Sequence, residues 1–186
     1  MQHLLDDKTL HAAPGMIDHS EGVDLLPSNI ELSGFEVRLI NAMSRERVLK
    51  TYVNEVKKNY DYVLIDCMPS LGMITINALA AADSVIIPTQ PHYLSAKGLE
   101  LLLRSVSMVK RQINPKLRID GILMTMVMPR INISKEITAT VKSAYGKKIK
   151  VFDTEIPHSI RAVEATAEGK SIFAYDKSGK VAAAYE

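Results

Sequence analysis

The stretch Tyr60-Asp-Tyr-Val-Leu-Ile-Asp-Cys-Met-Pro-Ser-Leu-Gly72 contains a continuous β-favouring run that ends in an acid. Its run from Tyr62 to Ile65 favours β structure without alternating polar residues, which is typical of a strand buried on both faces of a parallel sheet. The run ends at Asp66, so this carboxylate is expected where the strand leaves the core. In nucleoside triphosphatases an acid at that place orients Mg²⁺ beside the phosphates. An Asp that caps the following loop or helix explains the same pattern, and both interpretations stay open here.

Strands and helices are predicted to alternate along the rest of the chain. Residues 84–88 and 119–126 are two further apolar runs of strand length. Short strands are predicted at 24–27 and 150–153, and helices at 45–58, 71–82, 95–113, 135–145 and 159–168. This alternation indicates an α/β fold with a doubly wound, mostly parallel sheet flanked by helices. Functional residues of such sheets lie at the carboxyl ends of strands, here Asp66, Pro88 and the turn 126–130.

Length and composition favour one globular domain. The 186 residues suit a single domain over residues 1–186, with a poorly defined start over residues 1–22. The chain is 47% hydrophobic and 24% charged, as in proteins that stay in solution. The one cysteine, Cys67, excludes an internal disulfide framework and agrees with a reducing compartment. The sequence shows neither a membrane-spanning run nor a signal-peptide pattern, so a cytoplasmic protein is expected.

Positive charge is concentrated in the middle of the chain. The net charge is only +2, but residues 104–150 contain eleven Lys and Arg against two acids, Asp120 and Glu136. A basic block of this kind can bind a polyanion. A solvated lysine-rich face is the alternative interpretation.

Several blocks, in order along nearly the whole chain, resemble the ParA/MinD-type partition ATPases, which include Soj-like chromosome and plasmid partitioning proteins. The stretch 60–72 resembles the family's segment from the Walker B strand into switch II, and residues 75–88 continue the match. The other matching blocks are residues 26–34, 98–102, 120–126, 155–161 and 164–165. The resemblance implies a fold like that of the P-loop nucleoside triphosphatases.

The resemblance also implies roles for single residues, with ATP and Mg²⁺ as cofactors. Asp66 would be the Walker B acid, catalytic and close to Mg²⁺ without binding it directly. Pro69 and Gly72 would belong to the switch that reports the γ-phosphate. Pro157 would lie in the loop beside the adenine, with Met128 opposite. A plain turn proline is the alternative for Pro157.

Arg130 and Arg161 match basic positions that the family uses for non-specific DNA binding. Contacts from Lys and Arg to phosphates suffice for a protein that coats DNA without reading its sequence. A surface arginine without a partner is the alternative for each. The resemblance further implies an ATP-bound homodimer, a ParB-like stimulating partner, a nucleoid-associated location and no membrane contact.

Two positions depart from the family pattern. Met68 stands where members commonly have a first proline, and the arginine loop reads Met-Pro-Arg130 where members often carry an acid just before it. Neither change removes a charged catalytic group. Either could alter the geometry of its loop, because proline fixes φ.

The family's glycine-rich phosphate loop is missing from the sequence. None of the nine glycines fits G-x-x-x-x-G-K-[ST]. The nearest candidate, Gly169-Lys-Ser171, is rejected because Glu164 stands at the place of the first glycine. The switch I aspartate has no counterpart either. The chain is therefore expected to be a fragment, or else a degenerate relative, that lacks the first strand and does not hydrolyse ATP alone.

An incomplete sheet would leave a strand edge uncovered, so poor solubility or self-association is expected. Two other functions stay open: a non-catalytic DNA- or partner-binding module of the same fold, and a MinD-like membrane-associated regulator. The sequence does not distinguish a chromosome from a plasmid or another element as cargo.

Overall fold

The computed structural model describes residues 16–28, 42–68, 70 and 72–186, together with the isolated residues 32, 34, 36 and 39. The chain divides into two units. The first contains the described residues before Ser84 together with Ser105–Leu117, and the second contains Ser84–Arg104 and Arg118–Glu186. The elements are β1 (Ile17–His19), β2 (Val23–Leu25), α1 (Val48–Val56), α2 (Met73–Ala81), β3 (Ser84–Thr89), α3 (Tyr93–Gln112), β4 (Arg118–Met124), α4 (Asn132–Tyr145), α5 (Ile160–Ala167), α6 (Ile172–Tyr175) and α7 (Lys180–Tyr185).

The strands β1 and β2 form an antiparallel hairpin in the first unit, with Ile17 opposite Leu25. Gly22 makes the turn possible, because its φ of 77° lies in the left-handed region that side chains disfavour. Its N–H donates to the carbonyl of His19 at 2.9 Å. The strand predicted at 24–27 is thus present, although it runs from Val23 to Leu25.

A buried amide joins α1 to α2 in the same unit. The side chain of Asn77 donates to the carbonyls of Arg45 (2.8 Å) and Met73 (2.9 Å). Its Oδ1 accepts from the N–H of Leu49 at 3.2 Å. The first turn of α1 has no side-chain cap of its own, so this amide from α2 satisfies a backbone group that would otherwise lack a partner.

The stretch 62–68, which includes the buried strand predicted before Asp66, has no regular secondary structure. The strand prediction for Tyr62–Ile65 is wrong. Tyr62 is 86% exposed and Leu64 is 93% exposed, the reverse of a buried strand. A strand exists only when a neighbour pairs with its N–H and C=O groups, and no strand of the described chain pairs with this stretch.

The parallel sheet lies in the second unit and confirms the predicted α/β class. β3 and β4 pair in parallel, with Ile87 opposite Ile122. A parallel bridge between Ile122 and Val151 adds residues after α4 to the same sheet. The core of this unit is formed by buried residues from both strands and from α3 and α4: Ile87, Leu99, Ile122, Met124, Val127 and Val141.

Gly121 marks a close approach within this sheet. A Cβ on Gly121 would lie 2.9 Å from the carbonyl oxygen of Lys150 and 2.7 Å from the ring of Phe152. The N–H of Ile122 donates to that same carbonyl of Lys150 at 2.8 Å.

Among the described elements, every helix is too short or too polar to cross a bilayer.

Candidate functional site

A cleft of about 240 Å³ opens beyond the carboxyl ends of β3 and β4. The loop after β3, the segment between β4 and α4, and the first half of α4 form its walls. The lining residues are Gln90, Pro91, His92, Tyr93, Met126, Met128, Ile131, Ile133, Ser134, Ile137 and His158. Apolar walls with a few polar atoms suit an apolar group that carries one or two hydrogen-bonding atoms.

Met126 turns the chain into this cleft with a strained backbone. Its φ is 53°, in the left-handed region, where a residue other than glycine costs about 1–3 kcal/mol. The side-chain amide of Gln90 donates to the sulfur of Met126 at 3.0 Å. Just before it, the N–H of Thr125 donates to the carbonyl of Thr89 at 3.0 Å. These two hydrogen bonds connect the ends of β3 and β4 where the strain lies.

The structure brings Met128 and Pro157 onto neighbouring segments. Val127 forms a parallel bridge with Pro157, and its N–H donates to the carbonyl of Ile156 at 3.0 Å. The N–H of His158 donates back to the carbonyl of Val127, also at 3.0 Å. Met128 lines the cleft, while Pro157 stands beside it, half-buried. That both flank one bound base stays a prediction.

Arg130 lies in the exposed turn that leads into α4. The N–H of Ile131 donates to the carbonyl of Met128 at 3.0 Å and closes this turn. Within the part of the chain that the structure describes, the guanidinium of Arg130 forms no ion pair. It is therefore available to an external anion.

Further exposed cations follow Arg130, and residues 130–150 are called the basic segment below. Its exposed cations are Arg130, Lys135, Lys142, Lys147, Lys148 and Lys150. Lys142 pairs with Glu155 at 2.9 Å, and the Lys150 ammonium stands 4.6 Å from the centre of the Phe152 ring. The segment is built on α4, which has 14 residues and spans about 21 Å.

Arg161 has a different environment from Arg130. Its Nη1 lies 3.8 Å from Oε2 of Glu164, and its guanidinium carbon lies 5.9 Å from the centre of the Tyr175 ring. The Tyr175 hydroxyl donates to the same Oε2 at 3.1 Å. A hydrogen bond with Tyr175, and then the charge of Glu164, raise the pKa of Arg161 above its ordinary value, so it stays charged. Arg161, Glu164 and Tyr175 are called the arginine cluster below.

Sequence reasoning missed several of these neighbours. It placed a functional strand end at 126–130 but gave no role to Gln90, His158 or Tyr175. The spacing of Arg161 and Glu164, three apart on a helix, was the one local signal for the arginine cluster. Tyr175 lies on another helix, and only the fold brings it close.

The predicted catalytic residue, Asp66, lies in the first unit, exposed, on the stretch without regular structure. No group of three or more His, Cys, Asp or Glu side chains in the described ranges is placed to hold a metal ion. Gly72 precedes α2, and a Cβ there would collide with the carboxylate of Glu36. Pro69 lies outside the described residues.

Comparison with known proteins identifies a family that this sequence matches. The sequence profile of a family described as an AAA domain matches residues 1–119. The sporulation initiation inhibitor protein Soj of Bacillus subtilis (strain 168) is 43% identical over 165 residues, which cover 89% of this chain and 64% of that protein. The chromosome partitioning protein ParA of Myxococcus xanthus (strain DK1622) is 39% identical, over 88% of this chain and 57% of that protein. The chain spans about three-fifths of the length of these curated relatives.

A solved structure shares the fold. The crystal structure of cobyrinic acid a,c-diamide synthase from Mycobacterium smegmatis with bound ADP and magnesium matches with a TM-score of 0.76 and 31% identity. The match covers 90% of this chain and 72% of that one. It agrees with the parallel sheet and flanking helices of the second unit.

Proposed function

Because this chain belongs to the family of ParA/MinD-type partition ATPases, we propose that it acts in the ATP-dependent partitioning of a chromosome or plasmid and binds DNA without reading its sequence. The basic segment is the observation that carries the DNA-binding part. It presents exposed cations on one helix and the turns at its two ends.

The geometry of the basic segment suits phosphates rather than bases. Arg130 stands before the first turn of α4, and Lys147 and Lys148 follow its last turn, so the helix separates them by about 21 Å. Duplex DNA carries one negative charge for about every 1.7 Å of its axis, so phosphates are available to cations at this separation on any sequence. Binding that depends on such contacts is insensitive to sequence and weakens steeply with salt.

The residues of the cleft suit the base of a nucleotide, whereas the part of the chain that the structure describes has no comparable set of residues for the phosphates of that nucleotide. Met128 and the side chains around it form apolar walls, with Pro157 beside them and Gln90 and His158 as polar groups. ATP, when bound with Mg²⁺, would supply the phosphoryl group that is transferred to water. The sequence contains no glycine-rich phosphate loop, and Asp66 lies in no acidic cluster of the described chain. The phosphate end does not fit, and no hydrolysis by this chain alone is expected.

The remaining parts of the proposal rest on the family resemblance. In this proposal the ATP-bound protein is a homodimer on the nucleoid, in the cytoplasm, and a ParB-like partner stimulates its hydrolysis of ATP. Asp66 would act near Mg²⁺, and Pro69 and Gly72 would respond to the γ-phosphate. The second candidate is a non-catalytic DNA-binding module of the same fold, which the exposed cations of the basic segment would serve equally well.

Two measurements on the 186-residue chain test the proposal. In isothermal titration, ATP with Mg²⁺ should give no binding heat, and a micromolar affinity would contradict the missing phosphate site.

In fluorescence anisotropy with short duplexes of two unrelated sequences, the chain should bind both equally. Arg130→Ala should weaken both by the same factor and reduce the slope of log K against log salt by about one. Binding that ignores Arg130, or that prefers one duplex strongly, would contradict the proposed DNA contact.

A further inference from the structure

The residues Gly169-Lys-Ser171, rejected above as a phosphate loop, form the turn between α5 and α6. Gly169 ends α5 with a φ of 64°, and the N–H of Lys170 donates to the carbonyl of Ala165 at 3.0 Å. The Ser171 hydroxyl then caps α6 by accepting from the N–H of Ala174 at 3.1 Å. This capped turn reverses the chain, so Tyr175 at the end of α6 returns to the first turn of α5, where Arg161 lies.

Within the arginine cluster, one oxygen has two partners. Oε2 of Glu164 accepts from the Tyr175 hydroxyl at 3.1 Å and faces Nη1 of Arg161 at 3.8 Å. A carboxylate oxygen and a phosphate oxygen are both anionic acceptors that guanidinium binds in the same way. The Arg161 and Glu164 side chains are 64% and 47% exposed, so an external phosphate can reach the guanidinium.

We propose that Glu164 occupies on Arg161 the place of a DNA phosphate, and that Tyr175 holds the carboxylate there until the phosphate displaces it. This inference rests on the proposed DNA binding and on a DNA contact at Arg161, which the family resemblance implies. It makes the two arginines unequal: Arg130 meets DNA with its charge uncompensated, whereas Arg161 exchanges one anion for another. Tyr175 is a positioning residue, because it acts through Glu164.

The exchange should be reversible and weak in energy. Exposed ion pairs contribute little, because water and salt compensate most of the attraction. Removing the competing carboxylate should therefore strengthen DNA binding by about two- to fivefold, the range that corresponds to one such pair. The gain should fade as salt rises, because both the competitor and DNA act through charge.

Glu164→Gln is the test variant, because glutamine keeps an oxygen that can accept from Tyr175 while the charge is lost. Glu168→Gln is its matched control. Glu168 lies at the end of the same helix and pairs with Lys170 at 2.8 Å, so this change removes an equal charge without touching Arg161. Each change is also made in the Arg161→Ala background, and all variants are titrated with a short mixed-sequence duplex at low and high salt.

The expected result is a two- to fivefold gain for Glu164→Gln alone, no gain for Glu168→Gln, and no gain for Glu164→Gln once Arg161 is alanine. Equal gains for both glutamine variants, or a gain that persists in the Arg161→Ala background, would mean that the effect comes from the overall charge of the chain. Either result would overturn the inference, while the proposed DNA binding would remain. If Arg161→Ala itself leaves the affinity of a DNA-binding chain unchanged, the proposed contact at Arg161 is wrong, and the inference falls with it.

Discussion

At the scale of single residues, Asn77 shows how much one polar side chain contributes to the first unit. Its amide has three backbone partners, the carbonyls of Arg45 and Met73 and the N–H of Leu49, and the side chain is fully buried. Two of these partners belong to the start of α1 and the turn before it. Removing the amide leaves buried backbone groups without hydrogen bonds, which is more costly than losing the bonds themselves.

We expect Asn77→Ala to lower the free energy of unfolding by about 3 kcal/mol, measured by urea denaturation. Asn54→Ala is the control, because Asn54 is exposed on α1 and alanine favours a helix at least as well. The control should be neutral or slightly stabilising. A loss below about 1 kcal/mol for Asn77→Ala would mean that water replaces the amide.

The sequence predicted the position of a candidate site residue only where its neighbours along the chain indicated that position. The turn 126–130 was expected at a strand end, and Arg130 is there, exposed. The left-handed backbone of Met126 had no local signal, since methionine rarely adopts it. The contact of Tyr175 with Glu164 joins two helices across a turn, and periodicity within one helix does not reveal it.

At the level of elements, the sequence predicted β3 and β4 well, but the strand predicted at 150–153 is only a bridge at Val151, and the strand predicted at Tyr62–Ile65 is absent. β3 was expected at 84–88 and spans Ser84–Thr89, while β4 ends at Met124 instead of 126 because Met126 turns the chain. The run from Tyr62 to Ile65 has an equally strong β pattern yet forms no strand. Propensity describes how side chains fit a sheet, and it does not supply the neighbouring strand.

Two glycines offer a matched test of the packing around these elements. Gly121 in β4 has no space for a methyl group, whereas a Cβ on Gly98 in α3 would meet nothing within 4 Å. Gly121→Ala should destabilise by about 1–3 kcal/mol because the Lys150 carbonyl and the Phe152 ring must move. Gly98→Ala should stabilise by about 0.5–1 kcal/mol, since alanine favours a helix.

Opposite signs in urea unfolding are the expected outcome for this glycine pair. If Gly121→Ala were neutral, the segment 150–152 would not lie as close to β4 as the structure has it. A loss of stability at Gly98 would instead indicate that this face of α3 is covered in solution.

At the level of the whole molecule, the stretch 62–68 offers a surface on which copies of the chain can associate. Its backbone groups have no strand partner within the described chain, and Tyr62 and Leu64 are almost fully exposed. Exposed apolar segments with unpaired backbone groups promote association.

We expect concentration-dependent self-association in sedimentation velocity, and Leu64→Lys should reduce it by adding charge to the segment. Leu94→Lys is a suitable control, because Leu94 is also exposed but lies on the regular helix α3. A single monomeric species at high concentration would contradict the expectation. Equal effects of both lysines would mean that added charge, not the segment, matters.

The two thioethers at the cleft have a chemical consequence of their own. Met126 and Met128 are both accessible to solvent, and peroxides convert such side chains to sulfoxides. A sulfoxide is polar and a strong acceptor, so oxidation of Met126 would tighten the hydrogen bond from Gln90 and make an apolar wall hydrophilic. Oxidative stress would therefore make the binding of an apolar group in this cleft less favourable, and methionine sulfoxide reductases would restore the apolar wall.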